Sequence, residues 1–368
     1  MKRYLIWGTG IRAEENFHRL SLVPLNEKVK IIGFIDNNPD KSNGVFHDIK
    51  IYQPTDIKKL RYDFIDIWVK NGYEEIRSQI NRLGIPDIKI ESVFQWFMQA
   101  IDNKYAGTHD EEIKSFLHIM KRQKGPNVYA YNPVKKDEIR EVFFDERKHL
   151  YYTIFEGKRL YFAQSYKFSI INGKKYACDL WQEQDLNSPH LYEADGITVE
   201  DGDVLVDAGV CEGNFSLHNI DKVSKLYLIE CNTDWLEALK ATFEPYKDKV
   251  VLCNKFLSDR DTDQTITLNS LVKEPVNFIK MDIEGEEINA LKGAARVFAN
   301  STNIKCSICC YHKHGDEKKI RNILQEYGLI TSTSKGYMLF LWDNEIWSNP
   351  ELRRGIVRGR KILDTYRR

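Results

Sequence analysis

One local pattern occurs twice in this chain and narrows the architectures open to it. A short apolar strand ends in glycines and runs directly into a helix. "YLIWGTGIRAEE" (4–15) is the first instance and "VLVDAGVCEGNFSL" (204–217) the second. Glycines at such a turn let backbone N–H groups approach a ligand closely, and the helix N-terminus favours an anionic group. Strand and helix signals alternate around each turn. In residues 1–93 the strands are "YLIWG", "VKIIGFID", "YDFIDIWV" and "IKIESV", with helical spacing between them. Beyond residue 200 they are "DVLVDAG", "LYLIEC", "VVLCNKFLSD", "VNFIKMDIEG" and "NIKCSICCYH". Strands separated by helices predict parallel sheets with right-handed crossovers.

The fold expected is therefore α/β, with two Rossmann-like domains. At 368 residues the chain is too long for one ordinary core, which agrees with two. Residues 1–95 form the first, and 96–139, with "DEEIKSFLHIMKRQ", read as a helical linker. The second domain spans 140–345. It opens on a β-rich lead-in (140–198) that turns at Gly157 and Asn172–Gly173. "YGLITSTSKGYMLFLWD" (327–343) reads as two antiparallel strands.

Residues 346–368 read as a basic tail. Arg353, Arg354, Arg358, Arg360, Lys361, Arg367 and Arg368 stand against Asp364 alone. The segment is either a solvated, frayed helix or a contact for anionic lipid or a phosphorylated glycan. Lys+Arg and Asp+Glu are both 54, so net charge gives no argument for nucleic acid. No apolar stretch reaches the roughly 18 residues of a membrane span, and the apolar run at the start is too short for a signal peptide. A cytoplasmic protein is expected, with the tail as its route to the inner face of a membrane. The seven cysteines include the run Cys306, Cys309, Cys310. It lacks a second ligand pair at zinc-site spacing and reads as reduced thiols in a core strand.

Polar residues gather at the ends of the later strands: Glu230 after the second, Ser258 and Asp259 after the third, and Lys280, Asp282 and Glu284 after the fourth. Ligands of open α/β sheets bind at such carboxyl ends, and an acid ending the second strand can accept both ribose hydroxyls of a nucleoside. With these residues in place, the segment from about 188 to 312 resembles the FkbM family of S-adenosylmethionine-dependent methyltransferases. The resemblance rests on "SPHLYE", "GDVLVDAGVCEGNFSL", "LYLIECN", "FLSD", "TLNSLV", "VNFIKMDIEGEEINALKGA" and "ICCYHK". It departs at Asn269, where the family's pattern has an acid.

The resemblance implies a class I methyltransferase-type sheet with antiparallel C-terminal strands and S-adenosylmethionine as cofactor. It implies that Asp207, Gly209, Glu212 and Gly213 shape the turn holding the methionine end. Glu230 would bind the ribose hydroxyls, and Ser258 and Asp259 would lie by the adenine. Asp282, His190 and His312 would face the sulfonium and the acceptor as candidates for catalysis. Plainer readings stay open: Asp282 as a helix cap, the histidines as structural. Asp282 and Glu284 alternate and so share a strand face that suits a divalent cation. The expectation is nevertheless no metal, with Glu286 and Glu287 as the solvated first turn of a helix.

"GTGIRA" fits the dinucleotide fingerprint, and Asp36 ends the next strand. Gly8, Gly10 and Asp36 thus outline a second nucleotide site. "IWGTGIRAEE", "GFIDNNPDK" and "YDFIDIWVKN" resemble the modules appended to sugar acyltransferases and methyltransferases of surface-glycan pathways. There the module holds a nucleotide-linked sugar, or stands empty as a docking or homo-oligomer surface. The expected activity is O-methylation of a sugar or glycan hydroxyl in surface polysaccharide biosynthesis. The acceptor would be a glycan, a nucleotide-sugar or a sugar-phosphate. Tyr151, Tyr152, Tyr161, Tyr166 and Trp181 of the lead-in read equally as acceptor surface or strand core. The alternatives are an NAD-dependent oxidoreductase using the first turn, and a noncatalytic scaffold.

Overall fold

The computed structural model describes residues 1–21, 29–69, 72–122, 126–134 and 139–361. The chain divides into two compact units. One is Met1–Ala130 with Leu339–Leu352; the other is Tyr131–Met338 with the chain from Arg353.

The first unit is a five-stranded sheet built from β1 (Lys2–Trp7), β2 (Val29–Ile35), β3 (Val45–Phe46), β4 (Ile49–Tyr52) and β5 (Phe64–Ile67). The order is β3-β4-β2-β1-β5. All its pairings are parallel except the short edge strand β3. Helices α1 (Ile11–Ser21) and α2 (Tyr73–Arg82) follow β1 and β5. Leu5, Trp7, Ile35, Ile57, Ile65 and Ile80 close one face of the core. Asp66 lies within β5 and is buried there. It accepts hydrogen bonds from the Ile67 and Val93 amides and the Trp68 indole, each at 2.8 Å. Burial outweighs these donors and pushes its carboxyl up to about 6.

Helices α3 (Gln95–Tyr105) and α4 (Glu111–Arg122) belong to this unit and are not a spacer. Phe97, Met98 and Ile101 are buried on α3, and Ile113, Phe116, Ile119 and Met120 on α4, the spacing of one apolar helix face. Phe97 packs on Trp347 of the returning segment with ring centroids 4.6 Å apart. The expected tail therefore begins inside the first unit.

The second unit opens on an antiparallel sheet of β6 (Ile139–Asp145), β7 (Leu150–Phe155), β8 (Lys158–Tyr161), β9 (Ser169–Ile171) and β10 (Lys174–Cys178), in the order β8-β7-β6-β10-β9. Its hairpins turn where expected. Glu156–Gly157 and Asn172–Gly173 both carry the paired positive φ angles of tight hairpin turns.

The main sheet contains β11 (Val204–Ala208), β12 (Lys225–Ile229) and β13 (Val250–Cys253). A separate ribbon, β14 (Phe256–Leu257) with β15 (Thr265–Ile266), interrupts the run. The sheet resumes with β16 (Phe278–Met281), β17 (Lys305–Cys309), β18 (Leu329–Thr333) and β19 (Ile356–Lys361). Helices α5 (Asn214–Asn219), α6 (Leu236–Phe243), α7 (Leu268–Leu271), α8 (Glu287–Lys292), α9 (Ala295–Asn300) and α10 (Asp316–Glu326) connect them. The order is β13-β12-β11-β16-β17-β19-β18. The first five strands are parallel, and β19 runs antiparallel between β17 and β18. Val206, Ala208, Ile279, Met281, Ile308, Leu291, Phe298 and Leu324 form its core.

Strand β19 corrects the reading of the C-terminus. The partner of β18 is this strand, and not residues 337–342. "IVRGRK" is neither a helix nor a tail. Ile356, Val357, Arg358 and Gly359 are all buried, and the buried arginine in this run disguises the strand as solvent-exposed. Arg358, 2% exposed, donates to the Leu191 carbonyl. Arg353, 7% exposed, donates to the carbonyls of Tyr311 and His312 at 3.0 and 2.9 Å. Gly355 is tight against the Pro189 carbonyl, where a Cβ would overlap it. Two of the cations expected in a solvated or membrane-contacting tail, Arg353 and Arg358, instead brace the loops at 311–312 and 188–193, while Arg360 is exposed. Asp364, Arg367 and Arg368 lie outside the described residues. Among those residues no helix is long and apolar enough to cross a membrane.

Candidate active site

Strand order reverses at β11. The chain steps outward to β12 and β13, then returns to β16 on the other side. The carboxyl ends flanking such a reversal are where open α/β sheets bind ligands. Asp207, fully buried, anchors the turn after β11. Its Oδ1 lies 3.0 Å from Lys280 Nζ, and its Oδ2 accepts the Ser216 hydroxyl at 2.6 Å. Lys280 also donates to the Gly209 carbonyl. Burial disfavours the ammonium, but the Asp207 and Asp282 charges outweigh it and hold Lys280 above the ordinary lysine range.

The two glycines of this turn approach protein. Gly209 has φ +75°, and a Cβ there would overlap the Asp282 carbonyl. Gly213 has φ +81°, and a Cβ would sit 3.0 Å from Leu239 and Phe243 of α6. Cys211 also adopts a left-handed φ, of 50°. Its amide donates to Glu230 Oε2 at 2.9 Å, while the Asn232 amide donates to Oε1 at 2.8 Å. Glu212 is half-buried beside it, and burial raises its carboxyl. Asp207, Gly209, Glu212, Gly213 and Glu230 thus meet around one turn. Ser258 and Asp259 stand apart: they follow β14 of the ribbon, with Ser258 Oγ 3.4 Å from Asp259 and Asp259 exposed.

Asp282 follows β16, and its carboxylate gathers the three expected catalytic residues. Oδ2 lies 3.1 Å from His190 Nε2 and accepts the Tyr192 hydroxyl at 3.0 Å. Oδ1 accepts the Tyr311 hydroxyl at 3.0 Å and lies 3.3 Å from His312 Nε2. Asp282 therefore does not cap α8, whose N-cap position is Glu286 with no side-chain cap bond; Glu287 instead ties back the preceding turn by accepting the Ile283 amide at 2.9 Å. Burial opposes ionisation of Asp282, but the hydrogen bond and charge of His190, with His312 and Lys280, hold it well below the carboxylate range. Burial also opposes charging of the histidines. The charge of Glu183 and the hydrogen bond to Asp282 nevertheless raise His190 to about 9, and Glu287 and Asp282 raise His312.

Tyr192, Tyr311, Glu183, Glu287 and Cys309 complete the cluster; the sequence alone predicts Cys309 as a core thiol and Glu287 as a solvated acid, and singles out none of the other three. Tyr192 and Tyr311 sit inside quoted motifs, two residues after His190 and one before His312. Glu287, expected to be solvated, is 1% exposed and 3.1 Å from His312 Nδ1. Glu183 lies 3.2 Å from His190 Nδ1, and Cys309 Sγ 3.4 Å from His190 Nε2. Glu284 is exposed, 3.6 Å from His312 Nε2.

In the first unit, Gly8, Gly10 and Asp36 share the carboxyl edge of β1 and β2. Gly8 has φ +117° and is tight against the Trp68 carbonyl, whereas Gly10 faces open space. Asp36 is engaged within the protein, by the Thr9 hydroxyl, by Lys41 at 3.1 Å and by the Asn38 amide at 2.9 Å.

Residues 106–330 match the methyltransferase FkbM domain, and residues 1–91 the C2185-like N-terminal domain. No curated protein matches the chain. A similar solved structure is the methyltransferase FkbM from Methylobacillus flagellatus KT. It is 15% identical, with a TM-score of 0.53 over 97% of this chain and 90% of that one. Magnesium protoporphyrin IX methyltransferase from Synechocystis PCC 6803, solved with bound S-adenosylmethionine, is 13% identical. Its TM-score is 0.31 over 44% of this chain and 71% of that one. The strand order, the gathered polar ends and the matched domain agree, and the chain belongs to the FkbM family of S-adenosylmethionine-dependent methyltransferases.

Proposed function

We propose that the chain O-methylates an uncharged sugar or glycan hydroxyl beside Asp282 Oδ1. The observation that carries this reading is the division of the Asp282 carboxylate. Oδ2 is held by His190 and Tyr192, whereas Oδ1 meets Tyr311 and His312 on the loop after β17. A hydroxyl taking the place of the Tyr311 hydroxyl donates to Oδ1 and keeps a lone pair for attack. His190 and the Tyr192 hydroxyl fix the carboxylate from the far side, so that positioning does most of the work.

S-adenosylmethionine, when bound, supplies a methyl carbon on a sulfonium. As the new C–O bond forms, the acceptor oxygen becomes far more acidic than any carboxylic acid, so Asp282 takes its proton despite being a weak base. Glu230 suits the ribose hydroxyls: two backbone amides fix its carboxylate, and further lone pairs remain on it. Glu212 and the turn pinned by Asp207 would hold the methionine end, with Ser258 and Asp259 toward the adenine.

Glu183, Asp282, Glu284 and Glu287 outnumber the two histidines they surround. That negative surplus suits a sulfonium and opposes a phosphate at the reacting atoms. A nucleotide or phosphate on the acceptor would therefore lie away from Asp282. A role in surface-polysaccharide assembly rests on the likeness of the first unit to modules of sugar-modifying enzymes. Most lead-in aromatics pack among themselves: Trp181 on Phe155, Tyr152 on Tyr161. Tyr166 packs on Trp235 and lies near Glu212, whose charge adds to burial in raising its hydroxyl. The test is incubation with S-adenosylmethionine and panels of neutral sugars, nucleotide-sugars and sugar-phosphates, read by mass spectrometry. Gain of one CH2 on a sugar hydroxyl supports the reading; methylation confined to amine or carboxylate acceptors contradicts it.

A further inference from the structure

We propose that His190 Nε2, Asp282 Oδ2 and Cys309 Sγ form a binding site for a zinc-class divalent metal ion. The site does not depend on which acceptor is methylated. The three donors come from three separate places in the fold: the 188–193 loop, the turn after β16 and the last residue of β17. They converge on one point, with all donor atoms within 4.8 Å of one another. His190 Nε2 lies 3.1 Å from Asp282 Oδ2 and 3.4 Å from Cys309 Sγ. Metal bonds of about 2.0–2.3 Å in a tetrahedron place donors roughly 3.3–3.7 Å apart, close to the spacings of His190 from its two partners. The Tyr192 hydroxyl, 3.0 Å from Asp282 Oδ2 and 3.5 Å from His190 Nε2, borders the site.

The surroundings fit such an ion. Glu183 Oε2 lies 3.2 Å from His190 Nδ1, the carboxylate–histidine backing that orients metal-binding imidazoles. His190 and Cys309 are buried. The Lys280 ammonium nearby is offset by Asp207 at 3.0 Å. Binding requires the thiol proton and the Nε2 proton to leave, while Nδ1 keeps its proton toward Glu183. A mixed nitrogen, oxygen and sulfur set favours zinc or cobalt over magnesium or calcium. The neighbouring group of Asp282, Glu287 and His312 is a poorer site. His312 presents opposite ring nitrogens to the two carboxylates, so no single point faces all three. The ligand set also differs from a Cys-x-x-Cys site: Cys306 lies in the hydrophobic core with its Sγ against Gly359, and Cys310 is turned toward the Arg354 carbonyl at 3.2 Å.

The test uses the full chain, stripped with a chelator and titrated with cobalt(II). The expected result is one cobalt per chain with a near-ultraviolet thiolate-to-cobalt charge-transfer band. Cys309→Ser removes the band. Glu183→Gln, a change at a half-exposed side chain, weakens cobalt binding roughly 10–100-fold without altering the far-ultraviolet circular dichroism. Three results would each overturn the proposal: no saturable one-to-one binding, a band that survives Cys309→Ser, or unchanged cobalt affinity in Glu183→Gln.

Discussion

Gly209 and Asp282 meet backbone to backbone, so tightly that a Cβ on Gly209 would overlap the Asp282 carbonyl oxygen. The Asp282 amide in turn donates to the Ala208 carbonyl at 2.9 Å. The turn after β11 and the centre of the polar cluster are therefore one mechanical unit. Gly209→Ala must adopt a left-handed alanine and also part β11 from β16. We expect a loss of about 3 kcal/mol or more in urea unfolding, with cofactor affinity falling alongside. Affinity kept at the wild-type level would contradict this coupling.

Glu230 accepts the amides of Cys211 and Asn232, one on each oxygen. Glu230→Ala strands both amides and removes the ribose partner proposed above. Calorimetric titration with S-adenosylmethionine should show at least a 10-fold weaker complex, equivalent to about 1.4 kcal/mol. An unchanged affinity would place the ribose elsewhere.

Arg358 is buried in the middle of β19, with its guanidinium on the Leu191 carbonyl next to His190. Arg358→Met keeps the aliphatic stem and strands that carbonyl, at an expected cost of about 2–3 kcal/mol in urea unfolding. A segment that was merely a solvated basic tail would tolerate the change with no measurable shift.

These contacts mark what sequence carries and what it leaves out. The strand–glycine–helix turn, Glu230 at the end of β12 and the hairpin at Asn172–Gly173 follow from local patterns that need only neighbouring residues. The meeting of His190, Asp282 and His312 was implied only by the resemblance, because 92 residues separate His190 from Asp282. Cys309 looked like an ordinary core thiol, and Glu287 like a solvated first-turn acid, because nothing local reveals the imidazole each one faces. Strand β19 was hidden by composition. Arg358 within it and Arg353 just before it read as exposed charge, whereas both direct that charge onto buried loop carbonyls. The close approach that Gly209 permits is to Asp282, a partner distant in sequence that no local pattern names.

Asp66 gives the first unit a pH signature. Its folded value, about 6, lies above the 3.8 of an ordinary aspartate, so the folded state binds the proton more tightly than the unfolded one. The resulting stabilisation is fully present below about pH 4 and is lost as pH rises through 6. It amounts to at most about 3 kcal/mol. Asp66→Asn removes this titration. The difference in urea midpoint, wild type minus variant, should therefore grow as pH falls from 7.5 to 4. A difference that shrinks over the same range would show that Asp66 is held ionised.

The most direct test of the account is methyl transfer by Asp282→Asn. Radiolabelled methyl from S-adenosylmethionine is followed into a sugar acceptor, and cofactor affinity is measured in parallel. The account predicts cofactor binding within a few-fold of wild type and a transfer rate reduced about 100-fold or more. Transfer at the wild-type rate by Asp282→Asn would contradict it.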